Sequence, residues 1–311
     1  MENAKIKESS IKRWSKLLNR DKYLILLVIP GTLFLFIFSY LPLYGIITAF
    51  QDYAPGRSFF FGAEWVGFKW FEQFFSSAYF RRLMRNTFLL SFYTILYAFP
   101  VPIIFALLLN EIKDGKYKKI VQSVSYLPHF ISTVVIVGIM TSFLSTNGVI
   151  YNLVNMFFSE PIRLMGENKY FRTIYVASEV WACFGWDSIV YVASLSSIDV
   201  QLYEAATVDG ANRWQKLLNV TIPSLMPVIV IQLILRMGSL FSIGAEKVLL
   251  LYGPTTYETA DVISTYVYRR GILEQNYSFG TAVGLFNSVI SFAFVWATNY
   301  FCKKVNDTSL W

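Results

Sequence analysis

Tyr23-Leu24-Ile25-Leu26-Leu27-Val28-Ile29-Pro30-Gly31-Thr32-Leu33-Phe34-Leu35-Phe36-Ile37-Phe38 contains no charged residue, and the apolar run it opens continues to Phe50. About 20 apolar residues carry a helix through the ~30 Å hydrocarbon layer of a bilayer, whereas a signal-peptide core is shorter. No small-residue cleavage site follows, so the run reads as a retained first membrane span. Five further stretches have the same character: Asn86 to Asn110, Leu127 to Phe143, Thr173 to Ser197, Leu225 to Leu251 and Gly280 to Cys302. The sequence therefore predicts an all-α, polytopic membrane protein with six transmembrane helices. A basic N-terminal segment (1–22) precedes the membrane domain (23–302), and a short tail (303–311) follows it. Pro30-Gly31 and Pro100-Val101-Pro102 do not veto helices, because neighbouring helices in a membrane bundle satisfy the freed backbone groups.

Composition agrees. Of 311 residues, 55% are hydrophobic and 15% charged, with a mean hydropathy of +0.47, which is too little charge to cover a soluble domain of this length. The net charge of +7 does not indicate nucleic-acid binding, because the lysines and arginines sit in the flanks and loops between apolar runs. With a cytoplasmic N-terminus, the inner segments hold fifteen of the basic residues and the longer outer segments ten. That asymmetry predicts that both termini are cytoplasmic in a multi-pass protein of the cell membrane. The only two cysteines, Cys183 and Cys302, fall inside separate apolar runs and suggest neither a disulfide framework nor a metal site. Lys69 to Phe75 mixes aromatic and charged residues and suits a helix lying in the membrane interface.

Between the fourth and fifth runs lies Glu204-Ala205-Ala206-Thr207-Val208-Asp209-Gly210-Ala211, followed by Arg213-Trp214-Gln215-Lys216-Leu217 and Val220-Thr221-Ile222-Pro223. Its residues predict a short helix, a turn near Gly210 and a second short helix stopped by proline. The small Ala205 and Ala206 leave a smooth surface for close packing of another protein. This segment resembles the EAA loop of binding-protein-dependent ABC importers, with Ile222 where that pattern usually has leucine. Blocks along most of the chain extend the resemblance to the LplB-type permeases, a polysaccharide and complex-oligosaccharide branch of the maltose-permease-like importers. They include Tyr40 to Gly45, Tyr126 to Ser132, Gly185 to Ile189, Asp261 to Arg269 and Thr281 to Phe286.

The resemblance implies a type I ABC importer transmembrane domain that moves oligosaccharides, such as plant cell-wall or pectin fragments, by alternating access. It implies as partners a second homologous permease, two copies of a cytoplasmic ATPase and an extracellular, lipid-anchored solute-binding protein. It also implies an ATPase-coupling role for Glu204, Ala205, Ala206, Asp209, Gly210, Ala211 and Pro223. Glu204 would meet a cation, Gly210 would form the turn and Pro223 would set the exit angle. The chain has no G-x-x-x-x-G-K-[ST] phosphate loop, so ATP and Mg2+ are expected in the partner ATPase and no cofactor on this chain.

A sugar path needs aromatic faces and hydroxyl-matching polar groups, and intramembrane charges are costly unless they face a cavity or a partner. Glu179, Cys183, Trp186 and Val190 form a helical stripe with Trp181 and Asp187 nearby. Arg236, Glu246 with Lys247, and Asn287 with Ser291 are further candidates. The alternative for the charges is helix-to-helix pairing, with Arg236 against Glu179 or Asp187. His129, the only histidine, is expected at a helix start or in an interface role. An ion-coupled secondary transporter and a membrane-embedded enzyme are the competing classes; the loop at Glu204 argues against the first, and the intramembrane acids are too few for the clustered catalytic groups the second needs.

Overall fold

The computed structural model describes residues 20–56, 62–158, 161–241 and 243–306. Most of the basic N-terminal segment and the end of the tail lie outside the described residues. The helices, in chain order, are α1 (Lys22–Leu35), α2 (Lys69–Phe75), α3 (Phe80–Ala98), α4 (Pro100–Glu111), α5 (Lys116–Tyr126), α6 (Thr133–Leu144), α7 (Val149–Asn155), α8 (Asn168–Ser196), α9 (Val200–Val208), α10 (Arg213–Lys216), α11 (Ile222–Gly238), α12 (Ala245–Leu251), α13 (Tyr257–Ala260), α14 (Ile263–Val267) and α15 (Tyr277–Asn306). The two short strands, β1 (Gln51–Asp52) and β2 (Glu64–Trp65), pair antiparallel.

Four helical runs among the described residues are long and apolar enough to cross a membrane: Lys22–Phe50, Phe80–Glu111, Arg213–Gly238 and Tyr277–Lys304. The pair Lys116–Phe130 and Thr133–Leu144 makes a fifth if counted as one span, although it is bent by 101°. With 29 residues, α8 is long enough for a sixth crossing. It is also the most polar of the set, because Glu179 and Asp187 sit within it. These elements are consistent with the six expected spans.

Three boundaries differ from the sequence reading. The third apolar run is not straight: Leu127–Phe130 ends α5 as a tight 3-10 turn, and the chain turns before Ser132, which caps α6 by accepting from the Val135 amide. The fifth run is not one helix either. It stops at Gly238, and Glu246 and Lys247 belong to the separate α12. Hydropathy could not register this, since the connecting residues are as apolar as a span. The third difference concerns α2, which does more than lie in an interface: Trp70 and Phe74 are buried, packing with Leu83, Tyr266 and Phe279 in a core shared with α3, α14 and α15.

In lipid the tails are as apolar as leucine, so close backbone approach and interhelical hydrogen bonds supply much of the packing. Gly185 illustrates this, because a β-carbon there would collide with the Ser125 carbonyl oxygen of α5. Gly271 and Gly280 meet at a similar crossing. No residue of α1 is buried, which suits a helix solvated by lipid.

A buried carboxylate ties the two halves of the chain together. Asp261, with no exposed surface, accepts hydrogen bonds from Arg269 at 2.8 Å, Arg82 at 3.1 Å and the Thr265 hydroxyl at 2.8 Å. Asn86 on α3 donates to the Asp261 and Glu258 carbonyls and accepts from Arg172 on α8. Burial works against the Arg269 charge, but its bonds to Tyr252 and Asp261 outweigh this and hold its pKa above the ordinary arginine value.

Candidate functional site

The loop after α8 is built tightly. Asp199 caps α9 by accepting from the Gln201 amide at 2.9 Å. At the other end the Ala211 amide donates to the Ala206 carbonyl and the Gly210 amide to the Thr207 carbonyl, the paired bonds of a Schellman stop. That stop requires a left-handed residue, and Gly210 has φ +76°. Asn212 and Gln215 then form a reciprocal capping box that opens α10. Lys216 donates to Thr207 at 2.8 Å, and the Tyr203 and Thr221 hydroxyls lie 3.0 Å apart, so the two arms of the turn are braced against each other.

The expected stop at Pro223 does not occur. Arg213–Gly238 is a continuous helical run, with a wide π-type turn at Leu217–Thr221 and Pro223 in the first turn of α11. The proline is accommodated because its missing amide falls where the ordinary hydrogen-bond ladder is already broken. The brace leaves Glu204, Ala205, Asp209 and Gly210 exposed, with Ala206 and Ala211 half-buried. Val200, Leu202, Val208, Trp214 and Leu218 are also exposed, Val208 at 88%. Nothing within the described residues covers this apolar surface.

Inside the bundle, Arg236 stands between two small cavities. One, of about 130 Å³, is lined by Trp186, Asp187, Val190, Tyr191 and Gln232 with the α3–α4 junction. The other, of about 200 Å³, is lined by Ser91, Thr94, Tyr175, Glu179, Ser239, Leu240, Ile243 and Gly244. The structure thus brings Glu179, Trp186, Asp187 and Arg236 around two small cavities that share Arg236. Of the expected helix-to-helix pairs, the ion pair formed is a different one: Lys247 of α12 reaches Glu179 of α8 at 2.8 Å. Its ammonium also lies 4.7 Å from the centre of the Tyr175 ring, and the Cys183 thiol donates to Glu179 at 3.7 Å.

Three of the expected path residues lie elsewhere. Trp181 lines a separate apolar cleft between α6, α7 and α8, because two residues along a helix turn a side chain about 200° from Glu179. Glu246 is exposed in the first turn of α12. Asn287 donates to the Phe241 carbonyl at 3.0 Å and so braces α15 against the chain after α11. His129 is the residue whose placement the sequence did not disclose: at the α5–α6 bend its ring stacks on Trp186, 4.5 Å between centroids and 2° from parallel, with Phe130 edge-on to the same tryptophan. Tyr175, Gln232 and Ser91 were also illegible as lining residues, because only the crossing of α3, α8 and α11 brings them together.

A bundle of apolar helices with charged groups around small internal cavities and a braced, uncovered helical turn suits the membrane component of a transport system. The chain belongs to the family of binding-protein-dependent transport system inner membrane components, whose model matches residues 74–307. It is 41% identical over 298 residues to protein LplB of Bacillus subtilis (strain 168), covering 96% of this chain and 93% of that one. Over 306 residues it is 38% identical to the polygalacturonan/rhamnogalacturonan transport system permease protein YteP of the same organism, covering 98% and 95%. Among solved structures, a chain of a bacterial ABC transporter involved in the import of the acidic polysaccharide alginate superposes with a TM-score of 0.85 at 40% identity, covering 94% of this chain and 99% of that one. The fold is therefore that of a type I ABC importer permease.

Proposed function

We propose that this chain is one half of the transmembrane channel of an ATP-driven importer of polysaccharide-derived oligosaccharides, plant cell-wall or pectin fragments among them. The carrying observation is the braced turn from Val200 to Thr221, which presents apolar residues and Glu204 with no partner among the described residues. A surface this ordered and this uncovered suits docking into a cleft of a cytoplasmic ATPase. The substrate class is supported by the polygalacturonan/rhamnogalacturonan permease and the alginate importer, each matched over nearly the whole chain.

In this reading, two copies of the ATPase bind ATP and Mg2+ and close on nucleotide. Each closure pushes a docked loop, and the continuous Arg213–Gly238 helix passes the displacement into the bundle as rigid-body motion. A second, homologous permease completes the channel, and a lipid-anchored binding protein delivers sugar from outside. Glu204, Ala205, Ala206, Asp209, Gly210 and Ala211 form the docking turn, and Pro223 sits where the helix leaves it. Trp186, Asp187, Glu179 and Arg236 line the path: the indole stacks on a pyranose face and the polar groups meet hydroxyls. Both termini are cytoplasmic, as the basic-residue asymmetry supports.

Two measurements test the reading. In purified complexes, Glu204→Lys keeps the permease partner but loses bound ATPase or substrate-stimulated hydrolysis; normal association and turnover would refute the coupling role. A cysteine placed at Asn212 resists an impermeant reagent in intact cells, and strong labelling would invert the orientation.

A further inference from the structure

A larger cleft, of about 500 Å³, lies where α2, the start of α3, α13, α14 and the turn after α14 meet. Gln73, Tyr79, Arg82, Tyr257, Arg269 and Arg270 contribute to its walls. We propose that this cleft is a receiving subsite for the carboxylate-bearing residues of an anionic oligosaccharide. The proposal rests on the importer reading above and narrows its cargo to uronate-containing chains.

The charge balance is the first argument. Three guanidiniums, Arg82, Arg269 and Arg270, face two carboxylates, Asp261 and Glu274, so one positive charge is left uncompensated. Asp261 is fully buried behind Arg82 and Arg269. It therefore orients both forks while presenting no negative surface to the cleft. On the same helix as Arg82, Arg81 and Arg85 are exposed and make no ion pair with a described residue. An anion approaching this face meets a positive field.

Unspent donors are the second argument. The Nε atoms of Arg82 and Arg270 are buried and have no acceptor among the described residues. A desolvated donor without an acceptor is costly, so both forks gain by turning towards a carboxylate held in the cleft. The third argument is the aromatic wall. The Arg82 guanidinium lies 5.1 Å from the Tyr79 ring centre, and Arg269 lies 5.6 Å from that of Tyr257. These stacks hold the forks rigid, and the tyrosine faces offer apolar contact for the C–H side of a pyranose, with Gln73 near enough in the wall to meet hydroxyls. The volume falls within the ~300–1,000 Å³ of small-molecule sites, unlike the cavities beside Arg236.

Binding is measured by saturation-transfer NMR on the complete permease–ATPase complex in nanodiscs, without the binding protein, using trigalacturonate and its methyl ester. The acid is expected to bind at least about tenfold more tightly than the ester, a difference of ~1.4 kcal/mol. Arg270→Gln is expected to remove most of that difference, since its partner Glu274 is half-exposed and one turn away. Should that variant misfold, the exposed pair Arg81→Gln with Arg85→Gln is expected to weaken the acid about threefold and leave the ester unchanged. Equal binding of acid and ester, or variants that alter neither, would overturn the subsite. So would an Arg270→Gln complex that keeps its trigalacturonate affinity but loses tightly held anionic lipid, or one whose only defect is capture of the binding protein. Uptake of any oligosaccharide by the complete wild-type complex in proteoliposomes tests the importer reading separately.

Discussion

Replacing Lys247 by methionine isolates the ion pair that joins α12 to α8. The two groups are 2.8 Å apart, with the lysine side chain 10% and the glutamate side chain 26% exposed. At an effective dielectric of about 20, a pair at that distance attracts with roughly 6 kcal/mol, most of which offsets desolvation. Removing one partner leaves the other charge buried, and the typical cost is about 3–5 kcal/mol. Arg236 lines the same cavity as Glu179 and shields part of the orphaned charge, which places the expected loss near the lower end, ~3 kcal/mol. At about 2 °C per kcal/mol, the apparent melting midpoint of the complex falls by roughly 6 °C. Glu179→Gln together with Lys247→Met removes both charges and recovers most of the loss, so the double-mutant cycle returns a coupling of ~2 kcal/mol or more. Thermal unfolding of the four proteins in nanodiscs measures it. Strict additivity would show that the pair is not coupled. If Glu179 also meets cargo, the double variant regains stability but not uptake, which separates the structural role from the transport role.

Gly210→Ala forces a β-carbon residue to φ +76° and is expected to loosen the Schellman stop by about 1–2 kcal/mol. Gly210→Asn is expected to be milder, because asparagine tolerates that region; a β-carbon there meets no atom within 4 Å, so equal ATPase coupling in both would remove the conformational argument. Trp186→Ala is expected to slow oligosaccharide uptake at unchanged membrane abundance, whereas His129→Ala removes only the stacked neighbour and is expected to have the smaller effect; unchanged uptake kinetics for Trp186→Ala would take the indole out of the path. Asp261→Asn leaves Arg82 and Arg269 without their shared carboxylate and is expected to cost about 3–5 kcal/mol, read as loss of assembled complex on native gels at 37 °C; wild-type abundance would mean the clamp is dispensable.

The amino-acid sequence alone determined the solvent, the number of long apolar runs and the family. Lipid demands uninterrupted apolar length, and length is a one-dimensional property that Tyr23 to Phe50 displays without any partner. The turn at Glu204 was equally legible, because caps, glycine stops and capping boxes act over three to five residues, and Asp199, Gly210 and Asn212 each sit at the position their chemistry requires. What lay beyond that range needed the tertiary structure. Pro223 did not end a helix, since the wide turn before it had already broken the ladder. Gly238 did end one, inside a stretch that hydropathy reads as continuous. The partner of Glu179 proved to be Lys247, 68 residues away, and that of Trp186 proved to be His129, because charge and ring pairing depend on which helix faces cross. Helical periodicity tells which residues of one helix share a face. It cannot tell which face of another helix they meet, and both the cavities beside Arg236 and the arginine-lined cleft exist only where such faces meet.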